Sequence, residues 1–229
     1  MSNARLTRQV EEYARVVFDC DGVILDSNRL KSDAFGAALE GEPDERRREF
    51  VAWHRANGGI SRYVKFAHYF EKMYPVPDAE ARARAAIDRY AALVQQGLLS
   101  CDELPGLRML LARLNDAGVP CFVNSGGAEN ELREVLASRD LAKYFAGIFG
   151  SPATKPDNMQ RIAEIDSAMP GLFLGDAKSD FDAASGAGFD FVFVSGRSEW
   201  ESGRDFCAAT GLPVAATPGD VAGLGPRTA

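Results

Sequence analysis

The sequence predicts an α/β protein: a doubly wound parallel sheet that carries a helical insertion. Three observations lead there. Five short apolar runs recur along the 229 residues, helical periodicity separates most of them, and one long strand-free stretch follows the first. Apolar runs without polar alternation suit strands covered on both faces, as parallel strands flanked by helices are.

The runs are Val16 to Phe18, Val119 to Asn124, Gly147 to Phe149, Leu172 to Gly175 and Phe191 to Val194. The spacing between the later ones fits βαβ crossovers. Leu107, Leu110, Leu111 and Leu114 make one helix face, and Gly118 is a natural stop before the second strand. The strand-free stretch, Asn28 to Asp102, reads as four helices. Arg29 to Glu40 is the first, broken by Gly41 and Pro43, and Asp44 to Ala56 is the second, ended by Asn57-Gly58-Gly59. Tyr63, Phe66, Ala67 and Phe70 mark the apolar face of a third. Ile87, Tyr90, Ala91 and Val94 mark that of a fourth, which Gly97 is expected to end. Four such helices suit a small bundle. The expected organisation is a Rossmann-like core from 1–27 and 103–229, with a helical cap from 28–102 on two adjacent linkers.

The formal net charge of −7 and a pI near 5.0 argue against nucleic acid or an anionic membrane surface as the main partner. No apolar run approaches the length of a membrane span, and the opening residues lack the apolar core of a secretory signal. A cytoplasmic location is therefore expected. Cys20, Cys101, Cys121 and Cys207 lie far apart, without the spacing of metal ligands, and read as small buried thiols. His54 and His68 are the only histidines, and neither stands beside a nucleophile in the sequence. The oligomeric state is not legible.

The chemistry concentrates where strands end. Val16-Val17-Phe18 runs straight into Asp19-Cys20-Asp21-Gly22, two carboxylates two residues apart at the C-terminal edge of a strand. Ligands bind at that edge of open α/β sheets. Two acidic groups there repel each other unless a cation holds them, so a divalent metal is the natural partner. The second strand ends in Asn124-Ser125-Gly126-Gly127, which is either a plain turn or a cradle of N–H and hydroxyl donors for an anion. Lys155 opens a helix after the third strand, free either to solvate or to swing toward the strand ends. Asp176 leaves the fourth strand, and Asp180 falls in the first turn of the next helix, where a carboxylate also suits the helix dipole.

Together these residues resemble the haloacid dehalogenase-like superfamily, in its phosphatase branch of phosphoglycolate phosphatases and β-phosphoglucomutases. Asp19-Cys20-Asp21-Gly22-Val23, Ser125, Lys155 and Gly175-Asp176 with Asp180 match its four motifs in order, over about Val16 to Val194. The helical insertion resembles the family's cap at that position. The resemblance implies Asp19 as the nucleophile that forms an aspartyl-phosphate, and Asp21 as general acid and then base. It implies Mg²⁺ held by Asp19, the Asp21 carbonyl and Asp176, with Asp180 close by. Ser125, Gly126 and Lys155 are then expected to bind the phosphoryl oxygens. The implied substrate is a small phosphorylated metabolite, a sugar phosphate or a phosphoglycolate-like acid. Arg62, after the Gly58-Gly59 loop, is either a solvated arginine or a substrate contact. A phosphomutase keeps the same motifs. A phosphonatase needs a cap lysine, which Lys31, Lys65 or Lys72 would supply, and nothing in the sequence marks one of them. A dehalogenase has no need of Asp21, and a non-catalytic module on this fold would be expected to have lost a motif residue.

Overall fold

In a computed structural model of the chain, residues 4–226 are described. Six parallel strands form one sheet: β1 (Arg15–Phe18), β2 (Cys121–Ala128), β3 (Gly147–Ser151), β4 (Gly171–Gly175), β5 (Asp190–Val194) and β6 (Val214–Ala215). Their spatial order is β3-β2-β1-β4-β5-β6. The chain steps outward from β1 to β3, then returns to the other side of β1 and steps outward again. The order reverses at β1, so the crevice beyond its C-terminal end is the place for a ligand.

Alternation along each strand sorts the core onto two faces. Val16, Phe18, Val123, Leu172 and Leu174 pack with the leucines of α5 (Leu107–Asp116) and with Leu132 and Leu136 of α6 (Glu129–Ser138). Val17, Phe122, Phe173, Phe191 and Phe193 face the other way. They pack with Met159 and Ile162 of α7 (Lys155–Ile165), Ala183 and Ala184 of α8 (Lys178–Gly186) and Cys207 of α9 (Gly203–Thr210). Cys20, Cys121 and Cys207 are buried as expected, and Cys101 is partly covered.

Between β1 and α5 stand α1 (Asn28–Ala37), α2 (Asp44–Ala56), α3 (Arg62–His68) and α4 (Ala79–Ser100). A short π-helical segment, Tyr69–Met73, continues α3. Aromatic packing joins these helices. Phe50 sits among Phe35, Phe66 and Tyr69 with ring centroids 6.0, 5.6 and 5.0 Å away, and Tyr90 lies 4.3 Å from Phe35. The two connections to the sheet run side by side: Asp26 N–H donates to Asp102 O at 2.8 Å and Leu104 N–H to Ile24 O at 3.0 Å.

Two expectations need correction. Gly97 does not end α4, which runs on to Ser100. A Cβ there would lie 2.3 Å from Leu30 Cδ1, so the glycine lets α1 pack closely instead of stopping a helix. The expected strand at Val119 to Asn124 begins two residues later and runs through Ser125-Gly126-Gly127 to Ala128, held by an irregular pairing of Ala128 with Ser151. β6 also escapes the sequence reading, because two residues show no period.

Phe50 is fully buried at the centre of the inserted helices. Replacing it with alanine should cost about 3–5 kcal/mol, from lost burial plus the cavity left behind. Chemical denaturation checks this; a loss under about 1 kcal/mol would mean that the aromatic cluster is not what holds the helices together.

Candidate active site

The motif residues converge where β1, β2 and β4 end. Asp19 directly follows β1 and is 3% exposed, Asp176 directly follows β4 at 5%, and Asp180 is wholly buried in the first turn of α8. One carboxylate oxygen from each of the three lies within 4.8 Å of the others. Gly22 (φ +74°) lets the loop after β1 turn tightly against them, since a Cβ there would fall 2.3 Å from Asp176 Oδ2. The carboxylates pay for this crowding. Burial and then the charge of Asp180 push Asp19 up to about 7. Burial, Asp19 and Asp180 push Asp176 well above the usual carboxylate range.

Lys155, the first residue of α7, is the buried cation among them. Its ammonium lies 3.0 Å from Asp19 Oδ1 and also bonds Asp180 Oδ1. Thr154 caps that helix through a reciprocal box with Asp157, which fixes where Lys155 starts. Asp180 is fully engaged, for its Oδ2 accepts the N–H groups of Asp176 at 3.1 Å and Ala177 at 2.9 Å. Asp176 Oδ2 accepts from Asn28 Nδ2 at 2.6 Å. Asp21 accepts from Ser27 Oγ at 2.5 Å and from Lys31 Nζ at 2.6 Å. Burial alone would raise its pKa; the Lys31 ammonium and these two bonds hold it below the usual range.

Ser125 is buried in the extended end of β2, and its Oγ accepts the Gly127 N–H at 3.1 Å. Gly126 touches the inserted helices: a Cβ on it would lie 2.4 Å from the carbonyl oxygen of Gly59. Gly59 (φ +74°) is equally confined, with Ser179 Oγ and Lys155 Nζ 2.0 and 3.1 Å from where its Cβ would stand. Ser179 Oγ also donates to Gly58 O at 3.0 Å. The Gly58-Gly59 loop thus closes over the strand ends and roofs a cavity whose floor is Asp19, Asp21 and Asp176.

Arg62 borders this cavity and is 4% exposed, so it is not a solvated arginine. Both arms of its guanidinium meet the Glu131 carboxylate, at 2.9 and 2.5 Å, and Tyr90 lies under it at 4.7 Å. Three further cavity residues carried no sequence signal. Lys31 reaches Asp21 as above, and Lys65 is 1% exposed with Nζ 2.6 Å from His54 Nδ1. His54 Nε2 in turn lies 2.9 Å from Ser32 Oγ, which donates to Glu199 Oε2 at 2.7 Å. His54 thus gains a hydroxyl neighbour in space, Ser32, that lies 22 residues away in the sequence. Burial and the Lys65 charge lower its pKa to about 2, so it is neutral but a very weak base, and the acid of the trio bonds the serine, not the imidazole. Helical spacing could have hinted at Lys65, one turn beyond Arg62, but lysine on a helix is too common to single out.

The three-carboxylate cluster fits a hard divalent cation: all its donors are oxygens, and crowding alone leaves them electrostatically frustrated. Asp19 and Asp176 have oxygens to offer, whereas those of Asp180 are already bonded.

The fold and this cluster define an α/β protein with an aspartate-lined site at the sheet's C-terminal edge. The model of the haloacid dehalogenase-like hydrolases matches residues 13–188, and the chain belongs to that family. As a member of that family it is a hydrolase. Among curated proteins it is 26% identical over 207 residues to the tyrosine-protein kinase PtkA of Mycobacterium tuberculosis, covering 87% of this chain and 67% of that one. It is 25% identical over 203 residues to a phosphoglycolate phosphatase of Shigella boydii, covering 78% and 79%. The crystal structure of a predicted phosphoglycolate phosphatase from Haemophilus somnus shares the fold with a TM-score of 0.72 at 16% identity, over 91% of this chain and 96% of that one.

Charge crowding makes a testable claim about the metal-free protein. Asp176→Asn keeps an acceptor for Asn28 and removes a carboxyl whose ionisation the buried site disfavours, a penalty the unfolded chain does not carry at neutral pH, so the thermal midpoint in chelator should rise. A fall in the midpoint would show that these carboxylates are not under electrostatic strain.

Proposed function

We propose that the protein is a Mg²⁺-dependent phosphatase that hydrolyses a small phosphorylated metabolite through an aspartyl-phosphate on Asp19. The observation that carries this reading is the buried contact of Lys155 with both Asp19 and Asp180 beside an Asp176 carboxylate that has no ion-pair partner among the described residues. Asp19, the Asp21 carbonyl and Asp176 would hold the ion, with Asp180 behind them fixing Lys155 and the start of α8. When bound, the ion neutralises charge on the carboxylates and on phosphoryl oxygens.

The chain's own groups do the rest. Asp19 attacks phosphorus with one carboxylate oxygen, while Lys155 offsets the charge that nucleophile and phosphate share. Ser125 and the Gly126 backbone N–H serve as donors to phosphoryl oxygens, in a position set by the end of β2. Asp21 gives a proton to the departing ester oxygen and later takes one from the water that hydrolyses the acyl-phosphate. In the closed state described here, Lys31 keeps Asp21 ionised. Arrival of a phosphate ester beside Asp21 adds negative charge, which raises its proton affinity and prepares it to act as the acid. Residues 28–102 act as the cap: the Gly58-Gly59 loop excludes water, and Arg62, clamped to Glu131, holds the cap shut while placing its charge at the cavity wall.

A phosphate-release screen over phosphorylated metabolites with Mg²⁺ tests the reading directly. Asp19→Asn should abolish turnover without unfolding the protein, because a carboxamide is a poor nucleophile; near-normal activity would remove Asp19 from its role. Asp21→Asn should slow alkyl esters by roughly 10²–10⁴-fold and aryl esters less, since an aryl oxide needs little help to leave. Equal losses would count against its acid role. Mg²⁺ should raise the thermal midpoint of the wild-type protein, and excess chelator should abolish activity that Mg²⁺ restores. Full activity in chelator would sink the metal site. A mutase would consume substrate without releasing inorganic phosphate.

A further inference from the structure

The cap side of the cavity carries four cations, Lys31, Arg55, Arg62 and Lys65. Arg55 pairs with Glu199 at 3.3 Å, which leaves three to account for. Two are matched. Lys31 faces Asp21 at 2.6 Å, and both arms of Arg62 are taken by Glu131. Lys65 is different. Its Nζ is held by His54 Nδ1 at 2.6 Å and, more weakly, by the His54 carbonyl at 3.4 Å, both uncharged. The nearest carboxylate in this chain of contacts, Glu199, is spent on Ser32 Oγ and on Arg55 at 3.3 Å. Lys65 is 1% exposed, packs its ammonium 5.2 Å from the centre of the Phe35 ring, and borders the cavity. A buried ammonium without a counter-ion is costly, and proteins rarely keep one unless a ligand completes the pair.

We propose that Lys65 is a specificity residue that pairs with a carboxylate on the leaving group, so that the substrate is a small phosphorylated hydroxy acid. This rests on the phosphatase reading above and narrows it. The charge balance selects the group. One unmatched ammonium balances one carboxylate, whereas a second phosphate would bring nearly two charges and prefer an arginine fork, and the two arginines that border this wall, Arg55 and Arg62, are already paired with Glu199 and Glu131. A neutral sugar would leave Lys65 unmatched. His54 orients the ammonium: with Nδ1 facing Lys65 as an acceptor, the ring carries its proton on Nε2, toward the Ser32 oxygen, and Ser32 passes its own proton to Glu199. Ser32, His54 and Glu199 thus form a fixed relay that keeps Lys65 turned to one place.

The test compares phosphorylated hydroxy acids of two to four carbons with their neutral alcohol phosphates, such as 2-phosphoglycolate with 2-hydroxyethyl phosphate. Wild-type protein should favour the acids in kcat/KM by about 100-fold or more, mainly through KM. Lys65→Met, which keeps the volume and loses the charge, should erase at least tenfold of that preference, and Lys65→Arg should retain part of it. Equal kcat/KM for the two classes in wild type, or an undiminished preference in Lys65→Met, would overturn the proposal. Calorimetry of glycolate against ethylene glycol on the Mg²⁺-loaded wild-type protein reads the subsite without turnover or any variant. Glycolate alone should bind; no binding of glycolate, or equal binding of both, would also overturn it. Activity on no phosphate ester, aryl phosphates included, with glycolate still bound, would instead defeat the phosphatase reading and leave the carboxylate subsite standing.

Discussion

The site depends on one buried ammonium. Lys155 stands between Asp19 and Asp180, and without it three carboxylates would share a volume with no cation. Against the cost of its own burial, the charges of Asp180 and Asp19 hold the Lys155 proton firmly. That contact also ties chain segments together. Lys155 opens α7, Asp180 opens α8 and binds two backbone N–H groups there, and Asp19 terminates the central strand. The charge balance of the site and the registration of two helices on the sheet are therefore one arrangement, and neither can shift without the other.

The inserted helices complete the electrostatics. Asn28 binds Asp176 and Lys31 binds Asp21, both from the first helix after the linker. A short connection suffices, because the loop after β1 turns through Gly22 and lays Leu25 against Glu103 of the return linker. Lys31 of α1 meets Asp21 and Arg62 of α3 meets Glu131, so the inserted helices engage the charges around the cavity at two separate points.

Most of the sheet was legible in the sequence, because a strand buried on both faces leaves an apolar run that little else in a folded chain produces. The core site was legible for a related reason: carboxylates, a serine and a lysine placed just past such runs must meet at one edge of a parallel sheet, whatever the helices between them do. The cap was legible only as helices. α2 runs from Asp44 to Ala56 as its pattern predicts, yet Gly97 misled, since a glycine that admits a neighbouring helix is written like one that ends its own. Lys31, Lys65 and His54 could be named but not singled out, for a deeper reason. They come from α1, α3 and α2, and what sets them apart is which partners each meets after packing, which no local pattern encodes.

The contact of Gly59 with Gly126 has a consequence for how such a site can diversify. Here the roof and the floor of the cavity meet through main chain, with no side chain on either residue. A wall without side chains has nothing to trim. Substitution there can only shrink the chamber or pry it open, so larger substrates must be accommodated on the opposite side, where Phe35, His54 and Tyr90 still offer atoms to remove. The seam between the inserted helices and the sheet thus fixes one dimension of the chamber and leaves adaptation to the aromatic side.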